Sequence, residues 1–194
     1  LNGIIFKQAL ISGANNIVNH RQEVDALNVF PVPDGDTGTN MSMTISAAAR
    51  ELQVCEQTDI ASVSAKAAAA LLRGARGNSG VILSLIFRGI SNGFKGMDSA
   101  DGRALAKALE LGKESAYKAV MKPTEGTILT VIRMAAEAVK NTQETDCKVV
   151  LKTAYEAAKD ALLKTPEMLP VLKQAGVVDA GGQGFIFILE GMLS

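Results

Sequence analysis

Two aspartates separated by a single glycine are the strongest chemical signal in this sequence. Asp34 and Asp36 follow a proline-rich segment and precede the run 37–40, Thr-Gly-Thr-Asn, which opens a helical pattern. Two carboxylates this close can converge on one hard cation, and Mg²⁺ favours a few carboxylates together with phosphate oxygens and water. The free amides at the start of the following helix can bind a phosphate at the same place. The loop therefore predicts a metal and phosphate site, with an ordinary turn and helix cap as the alternative.

A second glycine-rich loop covers residues 73–80 and opens directly into an apolar helix. It contains three glycines and two arginines, and Ser79 can both cap the helix and donate to a phosphate oxygen. No lysine follows the glycines, so this is not the nucleotide loop that ends in Gly-Lys-Ser/Thr. Arg76 is a candidate for stabilising negative charge on a transferred group. A glycine helix stop followed by a cap, with a solvated arginine, is the simpler alternative.

Residues 122–127 and 176–184 form two further loops that each open into a helix. Either one alone is typical of a turn and cap. Four such loops in one chain, none with a catalytic histidine or cysteine, favour a shared anion or nucleotide rim over four coincidences. The single histidine, His20, falls at a predicted helix end, where capping is the simpler function.

Apolar residues recur at spacings of three and four along most of the chain, which is the helical period. We predict an all-α fold, an antiparallel bundle or closed barrel of about eight helices, as one domain over residues 1–194. The predicted helices cover residues 3–19, 39–56, 61–72, 78–92, 99–120, 127–140, 146–163, 166–175 and 182–192.

Composition excludes several classes of function. Twenty basic residues balance twenty acidic ones, so no broad field attracts nucleic acid or an anionic membrane, and we expect no nucleic-acid partner. The longest apolar runs are far shorter than the roughly 20 residues of a membrane helix. Two cysteines without metal-like spacing favour a reducing, cytoplasmic compartment. The chain starts without Met and stops inside an apolar stretch, so we expect a segment of a longer multidomain protein.

The run 28–41, together with Gly74 to Gly80, Glu125-Gly126-Thr127 and the run 178–182, closely resembles a known family. It is similar to the nucleotide-binding domain of the bacterial fatty-acid kinase catalytic subunit, which is related to the nucleotide-binding (DhaL, DAK2) subunit of dihydroxyacetone kinases. The resemblance covers essentially the whole chain. The run 116–123 is closer to fatty-acid kinase than to its dihydroxyacetone relative.

This resemblance implies an antiparallel helical barrel with ATP or ADP at one end and two Mg²⁺ ions on its phosphates. It implies that Asp34 and Asp36 are metal ligands. A third aspartate of dihydroxyacetone kinases has no counterpart, and Asn28, water or a distant carboxylate are the alternatives. The residues implied to surround the nucleotide are Thr37, Gly38, Thr39, Asn40, Asn78, Ser79, Gly80, Thr127, Asp179 and Gly181.

The resemblance also implies phosphoryl transfer from ATP to a fatty acid held by a separate fatty-acid-binding protein. The product would be an acyl phosphate for phospholipid synthesis, with Asp34, Asp36 and Arg76 in the catalytic centre. A homodimer of the full-length protein is compatible with it. Two alternatives stay open: a dihydroxyacetone-type kinase with a small ketone acceptor, and a non-catalytic module that senses Mg-nucleotide.

Overall fold

The computed structural model describes residues 1–194 and contains ten α-helices. There is no strand, and one isolated bridge joins Asn2 to Ser99. The all-α prediction is therefore confirmed. The helices are α1 Gly3–Asn19, α2 Arg21–Ala26, α3 Thr37–Gln53, α4 Ile60–Arg73, α5 Gly77–Gly93, α6 Gly102–Ala119, α7 Ile128–Val139, α8 Cys147–Met168, α9 Pro170–Ala175 and α10 Ala180–Leu193. None is both long and apolar enough to cross a membrane.

The longer helices form a closed ring. Going round it, α1 packs against α10, α10 against α8, α8 against α7, α7 against α6, α6 against α5, α5 against α4, and α4 against α1. Helix α3 packs against α1, α4, α5 and α10. One continuous apolar core of 44 buried residues joins these helices. Burial of this core supplies most of the stability, because short helices are marginal alone.

Helix starts follow the capping chemistry of the sequence in most places. Asp59 caps α4, and its carboxylate accepts a hydrogen bond from the Ser62 amide at 2.8 Å. The predicted start of α6 at residue 99 is wrong: the helix begins at Gly102, and Asp101 is the cap and accepts from the Ala104 amide. The six-residue α2 lies in a stretch where no helix is predicted, because one and a half turns carry too little periodicity to detect.

Pro166 does not start a helix as predicted, but lies inside the last turns of α8. Proline has no amide to donate to the carbonyl of Leu162, one turn back. The Thr165 hydroxyl donates to that carbonyl instead, at 2.7 Å. The helix therefore continues to Met168, and a separate short helix, α9, begins at Pro170, where proline is favoured.

Glycines permit very close contact between two pairs of helices. A Cβ on Gly89 of α5 would lie 2.1 Å from the Leu111 carbonyl oxygen of α6. A Cβ on Gly191 of α10 would lie 2.5 Å from the Ser12 carbonyl oxygen of α1. Both obstacles are backbone atoms, which cannot move aside as a flexible side chain does. The second pair closes the ring between the first and last long helices.

We predict that Gly89→Ala destabilises the fold by about 2 kcal/mol, because overpacking against backbone outweighs the better helix propensity of alanine. Chemical denaturation of the purified chain measures the change. Arg88→Ala, at the neighbouring exposed position of α5, is the control and should change stability little. A Gly89→Ala protein as stable as the natural chain would show that α5 and α6 can separate freely.

Candidate functional site

Four helices begin at one cavity of about 680 Å³. They are α3, α5, α7 and α10, and the four loops singled out in the sequence all contribute to its wall. Each helix start carries partial positive charge and unpaired amides, so the cavity is suited to an anion. The lining residues are Asn28, Phe30, Pro31, Val32, Asp34, Asp36, Thr37, Asn40, Gly77, Asn78, Ser79, Val81, Ile82, Leu85, Ala119, Val120, Lys122, Thr124, Thr127, Ile128, Leu129, Asp179 and Gly181.

The carboxylates of Asp34 and Asp36 are free of hydrogen bonds and salt bridges within the chain. Asp34 is exposed and Asp36 is half-buried, and both line the cavity. No third histidine, cysteine, aspartate or glutamate joins them in a metal-binding group. Two carboxylates with open coordination positions nevertheless suit Mg²⁺, which keeps several waters and takes phosphate oxygens as further ligands. The donor set therefore fits a magnesium-phosphate complex.

Asn28 organises the loop in front of α3. Its side-chain oxygen accepts hydrogen bonds from the amides of Asp36 at 3.0 Å and Thr37 at 3.3 Å. Its side-chain nitrogen donates to the carbonyls of Val32 at 3.2 Å and Phe30 at 3.5 Å. The side chain is buried and fully engaged with the backbone. This use of both amide atoms disfavours Asn28 as the third metal ligand.

Asp25 holds the first turn of α3 from the side of α2. One carboxylate oxygen accepts from the Thr39 amide at 2.9 Å, and the other accepts from the Thr39 hydroxyl at 2.7 Å. A Cβ on Gly38 would lie 2.3 Å from the Arg21 carbonyl oxygen, so only glycine fits there. Thr39 and Gly38 therefore face α2 rather than the cavity. The Gly38 amide is left without a partner in the chain.

The start of α5 has no capping side chain, since its N-cap residue is Arg76. The amides of Gly77, Asn78 and Ser79 accordingly have no partner in the chain. Gly77 has a φ of +65° and a Cβ there would lie 2.5 Å from the Asn40 side-chain nitrogen, which explains the glycine. Three free helix amides next to exposed Asn78 are ready donors for an anion.

Thr44, fully buried on α3, ties the α3 and α5 loops together. Its hydroxyl donates to the Asn40 carbonyl at 2.7 Å and accepts from the Arg76 amide at 3.0 Å. A Cβ on Gly80 would lie 2.4 Å from the Thr44 hydroxyl oxygen. Gly80 is therefore a packing residue beneath the cavity, and the Arg76 side chain is exposed outside it.

The starts of α7 and α10 are capped by their own residues. Thr127 accepts from the Leu129 amide, and Asp179 accepts from the Gly182 amide at 2.8 Å. Burial raises the pKa of Asp179 from its usual 3.8 to about 6, although hydrogen bonds from the backbone amides of Gly182 and Ile128 oppose this. Asp179 thus links the starts of α7 and α10 at the cavity wall.

Glu125 fixes the loop in front of α7. Its carboxylate accepts from the Tyr117 hydroxyl at 2.9 Å and from the Thr130 hydroxyl at 3.0 Å, and pairs with Arg133. These hydrogen bonds, Arg133 first, hold the pKa of Glu125 below its usual value against the opposing effect of burial. Glu125 does not line the cavity, whereas Lys122 and Thr124 of the same loop do.

The structure brings most of the predicted site residues together and leaves four outside. Nine line the cavity: Asp34, Asp36, Thr37, Asn40, Asn78, Ser79, Thr127, Asp179 and Gly181. The four that do not are Gly38, Thr39, Arg76 and Gly80. Thr39 is bonded to α2, Gly38 and Gly80 are packing positions, and the Arg76 side chain is exposed outside the cavity. A charge-stabilising function for Arg76 has no geometric support in this structure.

The sequence analysis did not identify the positively charged Lys122 or the apolar wall of the cavity. Lys122 and Thr124 belong to the predicted loop 122–127, of which only Thr127 was predicted to contact the nucleotide. The apolar wall comes from α5, the end of α6 and the start of α7: Val81, Ile82, Leu85, Ala119, Val120, Ile128 and Leu129. No sequence motif marks this wall, because apolar residues scattered over three helices cannot be distinguished from core residues in the sequence.

We predict that Asp179→Asn gains stability relative to the natural chain as pH rises from 4 to 7, by about 3 kcal/mol at most. The pKa of Asp179 is higher in the folded state than in the unfolded state. Asp179 therefore contributes its full share to the stability of the natural chain at low pH, and this contribution is lost as pH rises through 6. Asparagine keeps a capping oxygen without the buried charge. Urea denaturation at several pH values measures the difference.

The control for this prediction is Asp101→Asn, a cap whose pKa is lowered by the Ala104 amide and Arg103. Its effect on stability should be constant between pH 4.5 and 7, because that carboxylate stays charged in both states. A pH-independent difference for Asp179→Asn as well would contradict the buried charge.

Comparison with known proteins identifies the family. The model of the DAK2 domain matches residues 31–194. Protein YloV of Bacillus subtilis (strain 168) is 47% identical over the whole of this chain, and a Staphylococcus epidermidis protein is 46% identical. The chain spans 35% of the length of each of these relatives.

The fold also matches a solved structure, the dihydroxyacetone kinase from C. freundii in complex with AMP-PNP and Mg²⁺. The TM-score is 0.72 at 18% identity, over the whole of this chain and 34% of that one. The native form of the same kinase gives a TM-score of 0.63 at 19% identity. With more than half of its length matched by the family model, this chain belongs to the DAK2 domain family.

Proposed function

We propose that this DAK2 domain binds ATP with Mg²⁺ in the cavity and presents the γ-phosphoryl group for transfer to a carboxylate acceptor. In this proposal it is the nucleotide-binding domain of a longer fatty-acid kinase, and the acceptor is a fatty acid held by a separate binding protein. The convergence of four helix starts on two unpaired carboxylates carries the proposal. A solved relative in fold that holds AMP-PNP and Mg²⁺ supports it.

The cavity has the two regions that a nucleotide needs. Its polar side combines Asp34, Asp36, Asn78 and Ser79 with the free amides of α5, which suits a triphosphate. Its apolar wall suits a base and ribose. The volume of about 680 Å³ lies within the range of about 300–1,000 Å³ that small-molecule sites occupy.

Each group of the polar side has a defined task in phosphoryl transfer. Asp34 and Asp36 would hold Mg²⁺, which neutralises charge on the terminal phosphates when bound. The α5 amides and Lys122 bind and orient phosphate oxygens, and their fixed positions lower the cost of reorganisation. Catalysis in such a site is mainly positioning and charge neutralisation.

The cavity contains no histidine, and its carboxyl group with a raised pKa, Asp179, is engaged as the cap of α10, which favours an acceptor that is already ionised. The only histidine, His20, stacks on Phe187 with ring centroids 4.1 Å apart and contacts the Asn16 carbonyl, so it does not line the cavity. A fatty acid is ionised at neutral pH and needs no deprotonation, whereas an alcohol requires a general base. Asp34 is exposed at the mouth, where a protein-bound acceptor can approach.

A dihydroxyacetone-type kinase is the second candidate, favoured by the fold match to that enzyme. It requires the carrier of the small ketone to bring its own base to the cavity. A non-catalytic Mg-nucleotide sensor is the third reading. The three differ in whether ATP is consumed and with which acceptor.

We predict that the chain binds ATP in calorimetric titration with Mg²⁺, and that Asp34→Ala and Asp36→Ala each weaken this binding by about tenfold or more. Asp160→Ala removes an exposed carboxylate far along α8 and serves as the matched control, with unchanged affinity. Circular dichroism should show the same helical content in all four proteins. Equal binding by natural chain and both variants would exclude Asp34 and Asp36 as ligands.

We further predict that the full-length protein forms ADP and acyl phosphate when given ATP, Mg²⁺ and a fatty acid loaded on its binding protein. Dihydroxyacetone supplied with its carrier should give no turnover. Consumption of ATP only with dihydroxyacetone would establish the second candidate. Mg-dependent binding without turnover in any of these mixtures would establish the sensor.

A further inference from the structure

Six helices of this domain are capped by the side chain of their own N-cap residue. The residues are Asn2, Asp59, Asp101, Thr127, Asp146 and Asp179. All six have extended backbone conformations, with ψ between 113° and 180° in magnitude. An extended N-cap residue places its side-chain oxygen over the N2 or N3 amide of the helix. Self-capping is therefore the rule in this chain.

Four helices, α2, α3, α5 and α9, lack such a cap, and among them only α3 has one of the best capping types, Asp36, as its N-cap residue. The Asp36 side chain makes no capping hydrogen bond, and its ψ is 6° instead of extended. The side-chain oxygen of Asn28, eight residues earlier, accepts from the amides of Asp36 and Thr37 in its place. Asn28 is 6% exposed, so these bonds are shielded from water.

We propose that Asn28 is a positioning residue that caps α3 on behalf of Asp36 and thereby keeps the Asp36 carboxylate available to Mg²⁺. The binding of Mg²⁺ by Asp36 rests on the proposed function, whereas the exchange of caps, in which Asn28 replaces Asp36 as the cap of α3, does not. Asn28 also donates to the Val32 carbonyl, so one side chain sets both the loop that carries Asp34 and the helix start that carries Asp36.

Without Asn28, Asp36 has a nearby alternative partner. The Gly38 amide, at position N2 of α3, has no acceptor in the chain. Asp146 caps α8 through the equivalent N2 amide, that of Lys148, at 2.9 Å. Loss of the Asn28 bonds frees the Asp36 backbone to become extended, and its carboxylate then turns back onto its own helix. A carboxylate engaged in this way is a poorer ligand for a cation in the cavity.

A double-mutant cycle in thermal unfolding, without nucleotide or metal, tests the exchange of caps. In the natural background Asp36→Ala should change the midpoint by less than about 1 °C, because no cap is lost. In the Asn28→Ala background Asp36→Ala should lower the midpoint by a further amount of about 3 °C, since Asp36 has become the cap. Additive effects of the two substitutions would overturn the proposal.

Asp59→Ala is the matched control for the cycle, because Asp59 caps its own helix, α4. It should lower the midpoint by about 3 °C in both backgrounds and show no coupling to Asn28. Should Asn28→Ala fail to fold, Asn28→Ser keeps a polar group at the buried position but cannot span to the α3 amides. The same coupling is expected in that background.

The dependence of ATP binding on Mg²⁺ gives the second readout. Asn28→Ala should raise the Mg²⁺ concentration for half-maximal binding by about tenfold. Asn28→Asp retains an oxygen for the α3 amides and should restore the natural requirement or lower it. A purely structural role would lower the midpoint of unfolding and leave the Mg²⁺ requirement unchanged, which would overturn the proposal. If the natural chain does not bind Mg-ATP, only the proposed function is refuted. The double-mutant cycle in thermal unfolding still tests whether Asn28 replaces Asp36 as the cap of α3.

Discussion

The meeting of four helix starts at one cavity is the constraint on which the rest of this structure depends. Partial positive charges that face one another repel, and each helix start leaves backbone amides without partners. The domain resolves this unevenly. The first amides of α7 and α10 are capped by Thr127 and Asp179, the N-cap residues of these helices. Those of α3 are bonded mostly by side chains from elsewhere in the chain, and those of α5 have no partner. Unsatisfied donors are therefore concentrated beside Asp34 and Asp36, on one side of the cavity.

Side chains distant in sequence hold these loops in shape before any ligand arrives. Asn28 crosses the loop to α3, Asp25 fixes Thr39 from α2, Thr44 joins the α3 and α5 loops, and Glu125 secures the loop before α7. Asp25, Thr44 and Glu125 do not line the cavity, and both polar atoms of the Asn28 side chain are already bonded to backbone groups. Asn28, Asp25 and Thr44 bind backbone groups, and Glu125 binds the side chains of Tyr117, Thr130 and Arg133. Free amides and carboxylates are thereby set in position by a rigid support.

The sequence alone predicted the helical class, most helix limits and the four loops, because these depend on local periodicity and capping. It failed where a partner far along the chain decides the outcome. Pro166 lies within α8 because Thr165 supplies the missing hydrogen bond, and Thr39 faces α2 because Asp25 binds it. Gly38 and Gly80 looked like phosphate-loop glycines, but backbone and side chains of neighbouring helices explain them. The apolar wall of the cavity was invisible for the same reason, since three helices build it jointly.

The contact between α1 and α10 has a consequence for how the chain acquires this fold. Gly13 and Gly191 let the first and last long helices touch at backbone distance, across nearly the whole length of the chain. Contacts this distant in sequence form late, because the intervening chain must first lose its freedom. During synthesis from the N-terminus, α1 and α8 hold exposed apolar faces until α10 emerges. The ring, and with it the Asp179 corner of the cavity, is completed only by the last helix.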